Sequence, residues 1–380
     1  MTSPTSGSSA PRIAVVHDWL TGMRGGEKAL EVLCEQFPKA TLFTLFHVPG
    51  QVSPRIERLR PRVSLIRWLP MARRYYRYYL PLFPFAIEQF DFDEYDLVIS
   101  TSHCAAKAVV TPGRTPHLCY CHSPMRYAWD QYEAYFGAQR FGRWRARAVR
   151  PVIAALARWD ARTANRVDRF LANSQHVARR IDRYYGRAAT VVYPPVDTTF
   201  YQPSGADIED YFLMVSALVP YKRVELAIRA CNLLAAPLRI VGQGPEHSRL
   251  MQVAGPTVEF LGARPDGEIR ELYRRAIALV LPGEEDFGIA PVEAHACGRP
   301  VVALARGGAL ETVEDGVNGF LVADDSPEAF ADALERVRAE PFDVEAIRDS
   351  ALRFSRARFA ENIVAHVTDT LNATPEALRW

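Results

Sequence analysis

The stretch LPGEEDFGIAPVEAHACGRPVVAL, residues 281–304, decides the fold. It closes a short apolar run, IALVLPG, and passes through an acidic loop into a helical segment. After Gly298-Arg299-Pro300 it returns to a second short apolar run. Strand, loop, helix and strand in that order make one βαβ unit of a parallel sheet. Glu285 and Glu293 flank the start of the helix, and the backbone from Phe287 through Gly288 and Ile289 to Ala290 leads into it.

The same alternation runs outward from this unit to both ends of the chain. Upstream, RIAVVHDWL reads as a first strand, followed by the glycine-rich turn TGMRGGEK and a helix through Phe37. Further strands are TLFTLF, DLVISTS, HLCYC, RFLANS and TVVYPP in the first half, then YFLMVSAL, LRIVGQG, VEFLG, IALVLPG, PVVAL and GFLV in the second. Pro194-Pro195 and the polar segment after them mark a seam. A chain of 380 residues exceeds one ordinary core and divides into domains of roughly 150 to 200 residues. The expected fold class is α/β, with two Rossmann-like, doubly wound parallel-sheet domains facing a central cleft. The expected division is a tail over 1–10, an N-terminal domain over 11–200, a C-terminal domain over 201–362, and a final helix over 363–380 packing back on the first domain.

Charge separates the halves. Residues 1–199 hold 28 Lys/Arg against 16 Asp/Glu, and residues 200–380 hold 18 against 28, beneath a net charge of +2. The six cysteines form no CxxC pair and read as reduced thiols of a cytosolic protein. The N-terminal tail lacks the apolar core of a signal peptide. No apolar run reaches the roughly 18 residues of a membrane span, so membrane contact is expected to be peripheral.

Loops that follow strands in doubly wound sheets carry the ligand sites. After the first strand, Gly25 and Gly26 open a helix whose free N–H groups suit an anion, although a tight turn without ligand explains them equally well. His17 and Asp18 end that strand. His122, in CYCHSPMRYAWD with Arg126, follows another strand, and Ser174 follows a third. In SALVPYKRVELAI, Lys222 and Arg223 meet at a helix start, where adjacent cations oppose the macrodipole unless an anion lies between them. Gly244, in VGQGP, reads as a donor-binding loop or as an uneventful tight turn. Ionised glutamate only accepts hydrogen bonds, so Glu285 and Glu293 suit hydroxyls, while the cations and helix amides suit phosphates. A nucleotide sugar, with two hydroxylated rings about a diphosphate, satisfies all of them.

Asp91 to Asp93 (DFD) precedes a strand and reads as a turn, not a metal site. Residues 51–79 hold eight Arg against one Glu among several aromatics, and residues 140–169 hold nine Arg against two Asp. Basic residues mixed with aromatics describe solvated helix faces or a surface for anionic lipid headgroups. No nucleic-acid-binding motif accompanies them.

EEDFGIAPVEAHACGRPVVA and GGALETVEDGVNGFLV together resemble the signature of the family 4 retaining glycosyltransferases. HDWLTGMRGGEKALE, FPFAIEQFD, CYCHSPMRYAWD, SALVPYKRVELAI and VEFLGARPDGEI extend the resemblance over nearly the whole chain, toward bacterial mannosyltransferases of O-antigen and exopolysaccharide synthesis. The resemblance implies the GT-B fold and transfer of a hexose, with mannose from GDP-mannose foremost, to a lipid-linked saccharide at the cytoplasmic membrane face. It implies that Glu293 holds the ribose and Glu285 the donor sugar, and that Lys222 with the Gly288 to Ala290 backbone binds the diphosphate. Gly25 and Gly26 would face the phosphates from the other domain, and His122 would line the reacting centre. No metal or other cofactor is implied. Ser216-Ala217 stand where the family often has Gly-Arg, which leaves Arg223 as the candidate replacement. Alternatives are a UDP-glucose or UDP-N-acetylglucosamine donor, an epimerase on the same fold, or a non-catalytic sugar-nucleotide or lipid-binding protein.

Overall fold

The computed structural model describes residues 10–113, 115–132, 136 and 142–374. By its contacts the chain forms two compact units. One holds the chain up to Asn173, Val177–Val192 and the chain from Ala360 onward, and the other holds Ser174–His176 and Tyr193–Phe359.

The first unit is built on β1 (Ile13–Leu20), β2 (Thr41–His47), β3 (Arg62–Val63), β4 (Leu97–Ser102), β5 (His117–Cys121), β6 (Arg169–Ala172) and β7 (Ala189–Val191). They lie in the order β3-β2-β1-β4-β5-β6-β7, every pairing parallel. Covered on both faces, β1, β4 and β5 are buried almost throughout. This is why their sequences read as unbroken apolar runs and not as alternating ones. The second unit repeats the plan with β8 (Phe212–Val215), β9 (Leu238–Val241), β10 (Val258–Gly262), β11 (Leu279–Leu281), β12 (Val301–Leu304) and β13 (Gly319–Val322), in the order β10-β9-β8-β11-β12-β13.

In each sheet the winding reverses once, between β1 and β4 and between β8 and β11. Loops leaving the C-terminal ends of those strand pairs diverge to opposite faces of the sheet and leave a crevice there. The site residues gather in these two places.

Within the second unit, the chain after Tyr193 pairs with the chain around Phe354. Val196 N–H donates to the Phe354 carbonyl (2.9 Å), and Arg356 N–H donates to the Val196 carbonyl (3.1 Å). The helix Arg356–Asn372 begins there, and from Ala360 onward its residues belong to the first unit, with Ile363 and Val367 buried. All six cysteines are buried and unpaired. Asp91 to Asp93 form a turn in which Asp93 N–H donates to Asp91 Oδ1 (2.9 Å). Among the described residues no helix is long and apolar enough to cross a membrane.

Candidate functional site

In the second unit the loop between β11 and the helix Ile289–Ala296 carries Glu285 to the switch point. Its course is fixed from two sides. A Cβ on Gly283 would lie 2.9 Å from Lys222 Cα, so the two backbones pack directly and bring the Lys222 loop alongside. From the other side, Gly308 N–H donates to the Glu285 carbonyl (2.8 Å), and Gly307 pairs with Glu285 in a parallel bridge. Side chains at 307 and 308 would strike the backbone of Glu285 and Phe287. Held in this way, the Lys222 ammonium and the Glu285 carboxylate form an ion pair, largely but not fully buried. Gly288 caps the helix at φ 86°, a left-handed conformation that suits glycine. The amides of Ile289 and Ala290 therefore lie in the first helical turn, where N–H groups have no intrahelical acceptor.

Glu293 lies one turn further along that helix, buried at 6% exposure, and accepts a hydrogen bond from the Tyr273 hydroxyl (3.2 Å). Burial, followed by the charge of Glu293, pushes the Tyr273 hydroxyl pKa well up, so tyrosine is the donor in this pair. Behind the loops β8 to β10 close on one another. Leu218 N–H donates to the Gln243 carbonyl (3.0 Å), and Gly242 N–H donates to the Gly262 carbonyl (2.8 Å). A side chain on Gly244 would run into the Leu218 backbone, so close packing alone accounts for this glycine.

At the switch point of the first unit three imidazoles cluster. His17 lies within β1, His103 follows β4 and His122 follows β5, with ring centroids 6.2 to 6.4 Å apart. Gly25 and Gly26 open the helix Gly25–Gln36 beside them. A Cβ on Gly26 would sit 3.5 Å from His122 Nε2 and 3.6 Å from His17 Cε1. Nε2 of both rings is buried without a hydrogen-bond partner among the described residues. His17 Nδ1 shares a hydrogen bond with the Thr101 hydroxyl, and its Nε2 lies 4.0 Å from the buried carboxylate of Glu27. Burial, and after it the neighbouring His103 and His17, pushes His122 down to about 3, so its imidazole is neutral at physiological pH. Burial would raise the Glu27 carboxyl, but the neighbouring His17 outweighs it and the pKa lies below its ordinary value.

Asp18 has a different role from the acceptor contact expected of it. Fully buried, its carboxylate accepts the N–H groups of His103 (2.7 Å), Cys104 (2.9 Å), Ala105 (2.6 Å) and Ala106 (2.7 Å), and His103 Nδ1 stands 3.1 Å away. It anchors the loop after β4. Ser174, also expected on the acceptor side, is fully buried and donates to the Asp286 carbonyl (2.6 Å) within the second unit. The Phe287 ring packs in the core against Tyr193 and Phe354.

Arg223 departs most from expectation. It adopts φ 51°, which turns its side chain to Asp325, also 3.3 Å from Arg306, while Lys222 goes to Glu285. The two adjacent cations therefore pair with two different carboxylates. Arg126 opens the short helix Arg126–Trp129, half-buried. Sequence reading missed His103, Glu27 and Tyr273. The signal for His103 was its place after β4, the strand across the switch point from β1.

Comparison with known proteins agrees with this architecture. Residues 23–200 match the model described as Glycosyltransferase Family 4, and residues 199–354 match Glycosyl transferases group 1. A D-inositol 3-phosphate glycosyltransferase of Frankia alni is 35% identical over 182 residues, 40% of this chain and 44% of that protein. Its namesake from Thermomonospora curvata is 31% identical over 255 residues, 54% of this chain and 59% of that protein. The chain thus spans about half the length of the curated relatives it matches. Among solved structures, Anabaena HepE in complex with UDP superposes with a TM-score of 0.70 at 20% identity, covering 94% of this chain and 100% of that one. The lipopolysaccharide outer core galactosyltransferase WaaB gives 0.65 at 17%, covering 94% and 99%. At these identities the likeness carries the fold, which is GT-B. With both halves matched, from residue 23 to residue 354, the protein belongs to the family 4 glycosyltransferases.

Proposed function

We propose that the protein is a retaining glycosyltransferase that moves a hexose from a nucleoside diphosphate sugar to a lipid-linked saccharide or polysaccharide precursor at the cytoplasmic face of the membrane. The observation that carries this reading is the Lys222–Glu285 pair at the switch point of the second unit, beside a helix N-terminus and one turn from buried Glu293. A carboxylate paired to an ammonium is poised to exchange that partner. The donor sugar's hydroxyls would take Glu285, and the diphosphate would take Lys222 with the amides of Ile289 and Ala290. Glu293 would accept from the ribose while Tyr273 steadies it.

Departure of the nucleoside diphosphate develops negative charge, which fixed donors stabilise most when they need no reorganisation. In this reading Lys222 and the helix amides supply that stabilisation without metal. The leaving phosphate takes the proton of the acceptor hydroxyl as that oxygen attacks the anomeric carbon on the face the phosphate leaves, so configuration is retained. His122, neutral at the reacting centre, would donate to or accept from a sugar hydroxyl through Nε2. His17 and Arg126 remain candidates on the acceptor side.

The motif resemblance favours mannose from GDP-mannose. A UDP-hexose is the second reading, favoured by the HepE structures in complex with UDP and UDP-glucose. Thermal unfolding in the presence of each donor separates the two. A ligand that binds only the folded state stabilises by about 2.7 kcal/mol at a hundred times its Kd. The true donor is expected to raise the midpoint, and Glu293→Ala to respond far less. Loss of one fixed donor of this kind costs about 10²–10³ in kcat, expected for Lys222→Ala, with wild-type turnover insensitive to chelators. No response to any nucleotide sugar, or capture of a covalent glycosyl-enzyme, overturns the reading.

A further inference from the structure

Between Glu57 and Glu88 the chain runs for thirty residues, 58–87, with seven arginines and no carboxylate. It folds as four short helical turns, Leu65–Trp68, Ala72–Tyr75, Tyr76–Leu82 and Phe83–Ile87, packed on one another. Their inner sides enter the core of the first unit. Ile66, Ala72, Tyr76, Phe83, Ala86 and Ile87 are buried there, and the Tyr76 ring stacks on Phe46 with centroids 5.2 Å apart.

The side turned away from that core is unusual for a soluble surface. Trp68 is 75% exposed, Met71 62%, Tyr78 73%, Leu82 43% and Phe85 58%. Five large apolar side chains exposed within eighteen residues mark an interaction surface, since single scattered ones would need no explanation. Met71 holds a left-handed φ of 50° at the corner before Ala72, a conformation that costs a residue with a side chain about 1–2 kcal/mol. Interleaved with them are exposed Arg67, Arg73, Arg74 and Arg77, with the Arg67 guanidinium 4.2 Å over the Trp68 ring.

We infer that this outer face seats the protein on an anionic lipid bilayer, with the arginines at the headgroups and Trp68, Met71, Tyr78, Leu82 and Phe85 entering the boundary with the acyl chains. The charge requires an anionic partner. The apolar set chooses lipid over nucleic acid, because Met71 and Leu82 offer neither hydrogen bonds nor a ring for a base to stack on, and aliphatic groups gain most in hydrocarbon. Tryptophan and tyrosine, apolar with a polar handle, settle at membrane interfaces. The inference rests on the proposed lipid-linked acceptor only for its purpose, and its own evidence is the surface.

The test is cosedimentation of the full chain with phosphatidylcholine vesicles, with and without phosphatidylglycerol, at low and high salt. Binding is expected only with the anionic lipid and is expected to weaken as salt screens it. Brominated acyl chains should quench tryptophan fluorescence, and Trp68→Phe should remove most of that quenching. Reversing Arg67, Arg73, Arg74 and Arg77 to Glu should lower partitioning by roughly a hundredfold or more. Trp68→Ser with Phe85→Ser should lower it while leaving the thermal midpoint and the donor-induced shift unchanged. Vesicles left unbound by wild type, or bound equally by both variants, overturn the inference. So does tight binding of a single-stranded RNA with no vesicle binding. A donor shift that persists in any of these cases leaves the glycosyltransferase reading standing, and vesicle binding without any donor shift does the reverse.

Discussion

Asp18 is a buried carboxylate that holds a whole loop of the first unit. Four backbone N–H groups of residues 103–106 and the His103 ring converge on it. Removing one partner of such a buried set leaves the others desolvated and unpaired, which is where large losses arise. Asp18→Ala is expected to destabilise the first unit by about 3–5 kcal/mol, read as a lower urea midpoint. Asp18→Asn should lose less, since its carbonyl oxygen still accepts. A midpoint within error of wild type for the alanine variant would mean that the loop after β4 is held by something else. The sequence placed the residue at the end of a strand that in fact runs on to Leu20, and its partners were not legible, because they lie more than eighty positions away.

At the scale of elements, the loop that carries Glu285 is shaped by glycine backbone from the following βα connection. A Cβ on Gly308 would meet the Cα and carbonyl of Phe287, and backbone cannot swing aside as a flexible side chain can. Gly308→Ala is expected to cost about 1–3 kcal/mol and to displace residues 285–288. The thermal shift given by the true donor should fall further than the stability does. An unchanged donor shift would show that the geometry of this loop does not govern binding. The strand–loop–helix–strand order was plain in residues 281–304, because apolar runs and a glycine-proline return are local signals. That Gly307-Gly308 braces Glu285 was not, since the contact exists only once β12 lies beside β11.

For the whole molecule, buried neutral histidines in both units set a common response to acid. His117 donates from Nδ1 to the Arg166 carbonyl (3.0 Å) and accepts at Nε2 from the Ser100 hydroxyl (2.7 Å). Burial pushes it down to about 4. His122 in the first unit and His295 in the second are pushed down to about 3, chiefly by burial. The unfolded chain, with ordinary histidines near 6.5, binds more protons below that pH. Stability is therefore whole above about 6.5 and is lost as pH falls towards the folded pKa values, by up to about 1.4 kcal/mol per pH unit for each histidine. Urea midpoints should fall in both units between pH 6.5 and 5, above the range where carboxylates titrate. A flat profile there would mean that these rings are not held neutral.

What the sequence determined by itself is the alternation of strands and helices, the division into two halves, and the positions of Lys222, Glu285, Glu293 and His122 at strand ends or helix starts. These follow from periodicity and from residue chemistry within about twenty positions. Only the tertiary structure decided how those groups pair. His103 joins His17 because β4 is the neighbour of β1 in the sheet. Arg223 turns to Asp325 while Lys222 turns to Glu285, and the Phe287 ring packs in the core. A side chain's partners depend on which distant strand lies alongside and on the local backbone angle, and neither is written in the residue itself.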